Sequence, residues 1–412
     1  MEAASLYICP WSLRDPLCRS QSLAYLRGLS RRRGYKFALI TFENPRYAVA
    51  ESEIDAVKKN LEAEGIFWYP VEFRPGLSLA AKALDNLAGI VTGLRVYRKH
   101  RPLIVHSRSS MPAFLAMVLA KTCGMKFLYD ADSMLSEEYV ATGHWTRRSK
   151  GFRALAKTES LARQTADEAI VLTDTLRGDF INKFNVAAPI KVIPCCVDTK
   201  KFRATKQNRE KYRNELGLGD EEKLLVYVGK IGERYLVGEI FDFFKIAGET
   251  VENLRLLIIS KDAKRDFDGI AESKNIEGYR YFVRAAPPEQ VAEWLAAADT
   301  GIAFIKNSAS ERGASPIKIA EYLAAGLPVV VSSGIGDVSC LIAEKNIGLT
   351  VKDYSPETYR EVAAGLKEIW RGGVSASEKC RQAADDYFSL EAVGIPKYIE
   401  VYERMLQKSR RS

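Results

Sequence analysis

The stretch SERGASPIKIAEYLAAGLPVVVSSGIGD, residues 310–337, decides the fold. It predicts a short helix, a buried strand and then a glycine-rich loop. Ser315 suits an N-cap, Pro316 suits the first helical position, and Gly326 suits the C-terminal cap. The β-branched run 329–331 is typical of a strand that is buried on both faces. A short helix leading into such a strand indicates a parallel α/β sheet.

Two charged residues on this helix point to chemistry. Lys318 lies in the first helical turn, where the helix dipole disfavours a cation unless an anion is bound nearby. Glu321, one turn later, offers a carboxylate that could accept hydrogen bonds from a diol. A phosphate site and a diol site on one helix suggest a nucleotide-sugar. The same spacing also fits a surface helix with an ordinary Lys–Glu pair, and this alternative stays open.

The composition is that of a globular chain with more than one domain. It has 412 residues, of which 47% are hydrophobic and 27% charged, so we expect two domains or more. No apolar run has the length of a membrane-spanning helix, and the first residues do not resemble a signal peptide. Seven cysteines without a CxxC pair or Cys/His cluster predict reduced thiols, a cytoplasmic protein and no metal site.

The net charge of +9 is concentrated in basic clusters of the first half of the chain. These clusters are Arg27, Arg31, Arg32, Arg33 and Lys36; Arg95, Arg98, Lys99, His100 and Arg101; and Arg147, Arg148, Lys150 and Arg153. They favour an anionic partner such as a phosphorylated substrate or a membrane face. Nucleic acid is not predicted, because no zinc finger, RRM or basic zipper pattern is present. A merely solvated basic surface is the alternative.

Strand-like and helix-like segments alternate along the whole chain, which predicts α/β architecture with parallel sheets. The predicted strands are 5–10, 36–42, 103–107, 126–132 and 169–174, then 224–232, 254–260, 279–284, 300–305 and 328–333. Between the two series, 191–202 is predicted as a strand followed by an irregular connection. The predicted helices are 20–33, 112–123, 150–166, 207–216 and 390–406. We therefore expect two doubly wound, Rossmann-like domains facing a cleft, with ligands beyond the carboxyl ends of the strands.

Five blocks of the chain resemble glycosyltransferase family 4, whose fold is GT-B. They are 12–33, 104–116, 192–202, 226–244 and 315–337, and they follow one another in the expected order. Residues 388–406 are similar to the closing helix of that family, which crosses back to the first domain. The resemblance implies an N-terminal acceptor domain over 1–198, a C-terminal nucleotide-sugar domain over 199–386, and a returning helix within 387–412.

The chain departs from the family pattern around the donor. The family often has two glutamates eight residues apart, of which the second matches Glu321 and the first falls on Gly313. Glu311 could replace the missing glutamate, or backbone amides could hold the donor sugar instead.

Two further departures lie at strand ends. Where the family usually has Gly-Arg and Lys-Gly, this chain has Gly229-Lys230 and, at the second position, Tyr235 with Arg234 beside it. Lys230 and Arg234 still supply two cations. Where related chains often carry Asp-x-Arg-Gly, this chain has Asp-Ala-Asp-Ser over 130–133.

The resemblance assigns roles residue by residue. The donor-binding candidates are Lys230, Arg234, Val283, Arg284, Glu311, Ser315, Pro316, Ile317, Lys318 and Glu321. Among them the cations and the amides after Ser315 would stabilise charge on the departing β-phosphate, and Glu321 would bind the ribose. The base would be held around Val283 and Arg284. The catalytic candidates are His106 and Arg108, which would orient the donor, and Asp15 and Ser20 would contact phosphate or acceptor.

Each of these candidates also has a structural interpretation. Lys230 and Arg234 could be surface charges at a strand end, and His106 could be an ordinary buried histidine.

The function predicted is a cytoplasmic, retaining transfer of sugar from a nucleotide-diphosphate donor to a glycan or lipid-linked acceptor in surface polysaccharide synthesis. No cofactor, metal or nucleic acid is expected. The alternatives are a GT-B-shaped protein that binds nucleotide-sugar or acts as a scaffold with little activity, and another GT-B enzyme such as an epimerase. Peripheral attachment to an anionic membrane is also predicted, with helix 20–33 as the contact.

Overall fold

The computed structural model describes residues 3–76 and 78–409. The chain divides into two compact units, each built on its own sheet. Unit 1 is formed by the described residues of Met1–Pro194, Arg312–Ala314 and Glu391–Ser412. Unit 2 is formed by Cys195–Glu311 and Ser315–Leu390. The sequence analysis places the domain boundaries at 198/199 and 386/387, each four residues from the main boundaries between the two units, 194/195 and 390/391.

The sheet of unit 1 is entirely parallel. Its described strands are β1 (Ser5–Cys9), β2 (Phe37–Glu43), β3 (Ile66–Glu72), β4 (Ile104–Arg108), β5 (Lys126–Ala131), β6 (Glu168–Val171) and β7 (Ile190–Val192). They lie in the order β3-β2-β1-β4-β5-β6-β7. The order therefore reverses between β1 and β4, where Ser5 is in register with Ile104.

The sheet of unit 2 follows the same scheme. Its described strands are β8 (Lys223–Val228), β9 (Leu254–Ile259), β10 (Tyr281–Arg284), β11 (Thr300–Ala303), β12 (Val329–Ser332) and β13 (Gly348–Val351). They lie in the order β10-β9-β8-β11-β12-β13, again all parallel. The reversal falls between β8 and β11.

Helices connect the strands and cover both faces of each sheet. In unit 1 and its closing segment they are α1 (Pro16–Cys18), α2 (Ala24–Arg33), α3 (Ile54–Ala63), α4 (Leu79–His100), α5 (Ala113–Cys123), α6 (Leu135–Ala141), α7 (Lys150–Thr165), α8 (Asp174–Asn182) and, last in the chain, α17 (Ile395–Ser409). In unit 2 they are α9 (Lys206–Leu216), α10 (Val237–Ala247), α11 (Lys264–Ser273), α12 (Pro288–Leu295), α13 (Ile317–Ala324), α14 (Val338–Lys345), α15 (Pro356–Arg371) and α16 (Gly373–Phe388). Short π turns, Arg19–Leu23 and Leu390–Gly394, precede α2 and α17.

Alternation along each strand sends side chains to two cores. In β8, Leu224 and Val226 join one buried cluster, whereas Leu225 and Tyr227 join the cluster on the opposite face. This is the pattern of a parallel strand covered by helices on both sides. It is also why such strands read as continuous apolar runs in the sequence.

The predicted α/β fold with two parallel sheets is confirmed, but several elements were missed. Strands β3 and β13 were not predicted, because β3 contains Pro70 and β13 begins at Gly348, and both residues weaken a strand signal. The long helix α4 was also missed. Among the described residues, no helix is both long and apolar enough to cross a membrane.

Candidate functional site

The loop after β8 and the start of α13 meet in unit 2, and Lys318 lies where they meet. Its side chain is buried, and its Nζ lies 3.9 Å from the ring centre of Tyr235 and 4.7 Å from that of Tyr227. No hydrogen-bond acceptor among the described residues reaches this amine. A buried ammonium held only by aromatic faces is costly unless an anion joins it.

Gly229, immediately after β8, makes this approach feasible. A Cβ atom at Gly229 would lie 2.7 Å from Lys318 Nζ and 2.8 Å from the Tyr227 hydroxyl oxygen. That hydroxyl donates a 2.8 Å hydrogen bond to the carbonyl of Lys230, which fixes the loop. The side chain of Lys230 is exposed. Glycine is therefore required here because of close packing of the loop on Lys318.

A second cation lies beside Lys318. Arg234 Nη2 donates a 2.8 Å hydrogen bond to Oε2 of the buried Glu311. Burial and, to a smaller extent, the charge of Arg234 lower the pKa of Lys318 to about 7, against the opposing effect of Glu321. Two cations, Lys318 and Arg234, thus lie close together, and the buried carboxylate of Glu311 neutralises part of the charge of the second.

The start of α13 corrects one prediction. Ser315 is not the N-cap: the cap position is Pro316, and no side chain caps the helix. The Ser315 hydroxyl instead accepts a 3.1 Å hydrogen bond from the backbone amide of Cys195. The first-turn amides of Ile317 and Lys318 consequently have no side-chain oxygen over them. Uncapped amides at a helix start are suited to bind an anion.

Glu321 lies partly exposed one turn beyond Lys318. Burial raises the pKa of its carboxyl to about 7, while Lys318 and Lys201 oppose the rise. Val283 and Arg284 end β10, the edge strand of the sheet. The carbonyl of Arg284 already accepts a hydrogen bond from the amide of Ser260 at 3.0 Å.

The space around residue 313 is limited by a neighbouring leucine. A Cβ atom at Gly313 would lie 2.7 Å from Cδ2 of Leu176, so a larger side chain requires movement there. Glu311 is placed by a one-turn 3₁₀ helix over Ala309–Gly313 and is engaged by Arg234. The carboxylate of Glu311 therefore binds a neighbouring arginine. Whether it also takes the place of the glutamate expected at 313 stays a prediction.

In unit 1, the side chain of His106 is buried, whereas the sequence predicts a side chain open to a ligand. The side chains of His106 and Arg108 are buried around Asp130, which accepts two hydrogen bonds from Arg108 Nη1 at 2.7 and 2.8 Å. Tyr398 of the closing helix α17 also donates to Asp130, at 2.5 Å, and His106 Nδ1 lies 2.8 Å from the hydroxyl of Tyr402. These contacts give His106 and Arg108 a structural role, and their predicted role in orienting the donor stays a prediction.

The pKa values in this network follow its contacts. Burial alone would raise the pKa of Asp130, but Arg108 and His106 outweigh it and lower the value to about 2. Burial lowers the pKa of His106, which keeps the ring neutral. Asp130 and Arg108 therefore form a buried ion pair, and the neutral ring of His106 lies beside it.

Asp15 and Ser20 serve the backbone of the helix that follows β1. Asp15 Oδ1 accepts from the amide of Leu17 at 2.8 Å as an N-cap, and Ser20 Oγ donates to the carbonyl of Pro16 at 2.8 Å. The arginines at the end of α2 are also engaged: Arg32 pairs with Glu391 at 2.7 Å and Arg33 with Glu403 at 2.9 Å. These arginines are exposed although they are paired, and the membrane contact of this helix stays a prediction.

Sequence reasoning missed one group at these strand ends, Tyr227, and gave a second, Asp132, no role. Tyr227 was not predicted as part of the site. Its position two residues before Gly229, the glycine of the loop, could have indicated that it contacts this loop. Asp132, directly after β5, has a buried oxygen, Oδ1, without a hydrogen-bond partner among the described residues. Burial raises the pKa of Asp132 to about 6, and Asp130 adds to the rise while Arg108 opposes it. Across residues 3–76 and 78–409, no group of three or more His, Cys, Asp or Glu side chains could hold a metal ion.

Comparison with known proteins identifies the family. Residues 22–201 match the model for Glycosyltransferase Family 4, and residues 208–386 match the model for Glycosyl transferases group 1. The chain belongs to glycosyltransferase family 4. It is thus a glycosyltransferase, and its two α/β sheets are those of the GT-B fold.

Curated relatives of this glycosyltransferase are distant. Lipopolysaccharide glucosyltransferase WaaG of Escherichia coli (strain K12) is 25% identical over 295 residues, which are 68% of this chain and 75% of WaaG. The putative teichuronic acid biosynthesis glycosyltransferase TuaC of Bacillus subtilis (strain 168) is 28% identical over 186 residues, 45% of this chain and 43% of TuaC.

Solved structures extend the likeness to the whole fold. Sucrose-phosphate synthase from Thermosynechococcus elongatus has a TM-score of 0.76 at 15% identity and covers 99% of this chain and 100% of its own. Anabaena HepE in complex with UDP-glucose has a TM-score of 0.71 at 13% identity and covers 97% and 99%. At these identities the likeness establishes the GT-B fold.

Proposed function

We propose that this glycosyltransferase moves a sugar, with retention of configuration, from a nucleotide-diphosphate donor bound by unit 2 to a glycan or lipid-linked acceptor bound by unit 1. The reaction would take place in the cytoplasm during synthesis of a surface polysaccharide. The observation that carries the proposal is Lys318: a buried amine, without a hydrogen-bond acceptor among the described residues, at an uncapped helix start. Such an amine is explained if a diphosphate binds there.

The chemistry requires that the departing diphosphate be stabilised. As the glycosidic bond breaks, charge grows on the β-phosphate oxygen, and fixed cations and amides aimed at it lower the barrier. Lys318, Arg234 and Lys230 would supply that charge, together with the amides of Ile317 and Lys318. The phosphate itself would accept the proton of the acceptor hydroxyl. No protein nucleophile is then needed, in keeping with the structural role of His106.

Arg234 would have a second task. In the unliganded protein it is held by Glu311, with Nη2 2.8 Å from the carboxylate. A diphosphate beside Lys318 would share this guanidinium, whose five donors allow it to bind two anions. Glu321 would accept hydrogen bonds from the ribose diol, and the carboxyl edge around Val283 would hold the base.

The relatives are consistent with this proposal. HepE, which shares the fold, was solved with UDP and with UDP-glucose, and WaaG and TuaC are named for lipopolysaccharide and teichuronic acid synthesis. These names concern those proteins. They motivate the choice of UDP-sugars as the first probes and of a surface polysaccharide as the product.

The test is a thermal-shift panel of UDP-, GDP-, ADP- and TDP-sugars, followed by donor hydrolysis without acceptor. One donor should raise the melting temperature, because a ligand of the native state stabilises by mass action. The same donor should release nucleoside diphosphate slowly. A shift without any release, under all conditions, would favour a nucleotide-sugar-binding or scaffold protein, and no shift with any donor would contradict the proposal.

A further inference from the structure

A cavity of about 500 Å³ lies in unit 2 at the amino edge of its sheet. Its lining includes Lys223 at the start of β8, Asp299 just before β11, and Leu327 and Pro328 just before β12. These strand ends are opposite to the end of β8 from which the loop toward Lys318 leaves. The cavity is therefore separate from the site at Lys318, and its volume is typical of cavities that hold small organic molecules.

Positive charge is in excess around this cavity. The charged side chains in its lining are those of Lys206, Arg209, Lys223, Arg381 and Asp299. The one carboxylate among them is already engaged, because Asp299 Oδ1 accepts from Arg209 Nη2 at 2.8 Å and Oδ2 accepts from the amide of Leu224 at 2.8 Å. Arg213 Nη1 also lies 3.5 Å from Oδ2. Asp299 is thus neutralised locally and does not balance the other cations of the lining.

Two of the lining cations have no carboxylate partner in the part of the chain that the structure describes. Lys223 Nζ lies 5.9 Å from the ring centre of Trp370, which also lines the cavity. Arg381 Nε is buried, and no described acceptor forms a hydrogen bond with it. A Cβ atom at Gly326 would lie 2.9 Å from this Nε, so Arg381 packs directly on the backbone there. A buried guanidinium nitrogen without an acceptor costs free energy, which an anionic ligand would recover.

Different strands position these two cations. Lys223 begins β8, whereas Gly326, on which Arg381 packs, leads into β12. Since β11 lies between these strands and neighbouring strands are about 4.8 Å apart, the two strands start roughly 10 Å apart. Val374, in the first turn of α16, lines the same cavity, and no side chain caps the start of that helix. The arrangement is complementary to a ligand with anionic groups at two separate positions.

We propose that this cavity binds a small organic molecule that carries two phosphate groups, as a sugar bisphosphate does, with one phosphate at Lys223 and the other at Arg381. Its carbon atoms would contact Trp370, Leu327 and Pro328. The inference goes beyond the proposed function and does not rest on it, because the cavity lies at the opposite edge of the sheet from the diphosphate site.

The test is titration calorimetry of the full chain with fructose 1,6-bisphosphate and with fructose 6-phosphate. The bisphosphate should bind about tenfold more tightly or better, because only it can contact both cations. Lys223→Met and Arg381→Met should each weaken bisphosphate binding about ten- to hundredfold, as expected for a lost charge-assisted hydrogen bond. Lys261→Met is the matched control: it removes the same charge at an exposed position outside the cavity and should bind as the parent does.

A further variant covers a loss of folding. If Arg381→Met loses thermal stability, Val374→Glu gives the same comparison, because it adds a carboxylate to the lining at a position that is 74% exposed. It should weaken bisphosphate binding by a similar factor. Absence of bisphosphate binding in the parent, or equal affinity for the two fructose phosphates, would overturn the proposal. Equal binding by the parent and the Lys223→Met and Arg381→Met variants would overturn it as well.

A last arm separates this cavity from the diphosphate site. Lys318→Met should leave bisphosphate binding unchanged. Loss of bisphosphate binding in that variant would place the ligand at Lys318 and overturn the cavity. Failure of UDP to bind the parent would refute the proposed function, while bisphosphate binding that depends on Lys223 and Arg381 would still establish the cavity as a site.

Discussion

At the scale of single residues, Lys318 is a cation whose charge depends on its ligand. Burial, together with Arg234, brings the pKa of Lys318 to about 7, against 10.5 for an ordinary lysine. A diphosphate placed beside the amine would favour the charged form and raise this pKa. If a diphosphate binds there as proposed, its binding near pH 8 should be coupled to proton uptake by Lys318.

The coupling predicts how affinity for UDP, the first probe, depends on pH. Above pH 7 the unliganded amine loses its proton, so affinity should fall by about tenfold per pH unit between pH 7.5 and 9. Lys318→Met should lower the affinity at pH 7 by about ten- to hundredfold, as expected for a lost charge-assisted hydrogen bond, and should flatten the pH profile. Titration calorimetry in buffers of different ionisation enthalpy measures both effects.

The control for this experiment is Lys206→Met, because the Lys206 side chain is 91% exposed in unit 2. It should leave affinity and pH profile unchanged. A Lys318→Met variant that folds and binds UDP as tightly as the parent would remove Lys318 from the diphosphate site.

The same residues predict metal independence. Lys318, Arg234 and Lys230 provide the positive charge that a divalent cation provides in other transferases. Donor hydrolysis should therefore proceed at an unchanged rate in EDTA, and added Mg²⁺ should not increase it by more than about twofold. Complete loss of activity in EDTA that Mg²⁺ restores would mean that the phosphate chemistry has been assigned to the wrong residues.

At the scale of elements, the closing helix α17 is fastened to the sheet of unit 1 by buried polar contacts. Tyr398 donates to Asp130, Tyr402 contacts His106, and Arg404 Nε donates to Glu168 in β6 at 3.0 Å. Apolar contacts add to these, because Val401 and Met405 are buried. The polar contacts fix which face of α17 meets the sheet.

These contacts predict sensitivity to acid. The folded-state pKa of Asp130 is about 2, below its ordinary 3.8, so its contribution to stability is complete above about pH 4 and is lost as the pH falls toward 2. Asp130→Asn should lower the free energy of unfolding at pH 7 by about 3–5 kcal/mol, because it leaves Arg108 buried without its counter-ion. Tyr398→Phe should cost about 1.5–3 kcal/mol.

Urea unfolding at pH 7 and at pH 3 measures these effects. The parent should lose more stability than Asp130→Asn over this interval. Tyr279→Phe is the control, since Tyr279 is 65% exposed. Equal stability of Tyr398→Phe and the parent would show that the hydroxyl does not hold α17 in place.

The elements also show how far the sequence can predict this structure. Apolar β-branched runs gave most strands, because a strand buried on both faces has a strong local signal. The same local reasoning misassigned Ser315, whose hydroxyl is taken by Cys195, 120 residues away in sequence. It likewise treated His106 as open, because its partner Tyr402 lies 296 residues away. Hydrogen bonds to residues that are distant in sequence determine the environment of these two side chains. A local sequence pattern cannot predict such bonds.

At the scale of the whole molecule, the excess positive charge behind the net charge of +9 is unevenly distributed over the three basic clusters. The arginines at the end of α2 are paired: Arg31 and Arg32 contact Glu391, Arg33 contacts Glu403, and Arg27 contacts Glu64. Among the exposed cations of the other two clusters that the structure describes, Arg147 pairs with Glu137, whereas those at the end of α4 and the rest near the start of α7 have no carboxylate partner. Attraction to an anionic surface should therefore come from these elements rather than from α2.

This distribution predicts which substitutions release the protein from anionic membranes. The parent should co-sediment with liposomes that contain anionic lipid at low salt and remain in solution at high salt, because screening weakens the attraction. Each cation near such a surface is worth roughly 1 kcal/mol, so replacing Arg148, Lys150 and Arg153 together by Gln should lower the partition about hundredfold. Replacing three exposed cations of unit 2, Lys206, Lys261 and Arg265, by Gln removes the same charge and should have little effect. Equal losses in both triple variants would mean that net charge alone drives the attraction, and recovery of the parent in the supernatant at every salt concentration would favour an acceptor away from the membrane.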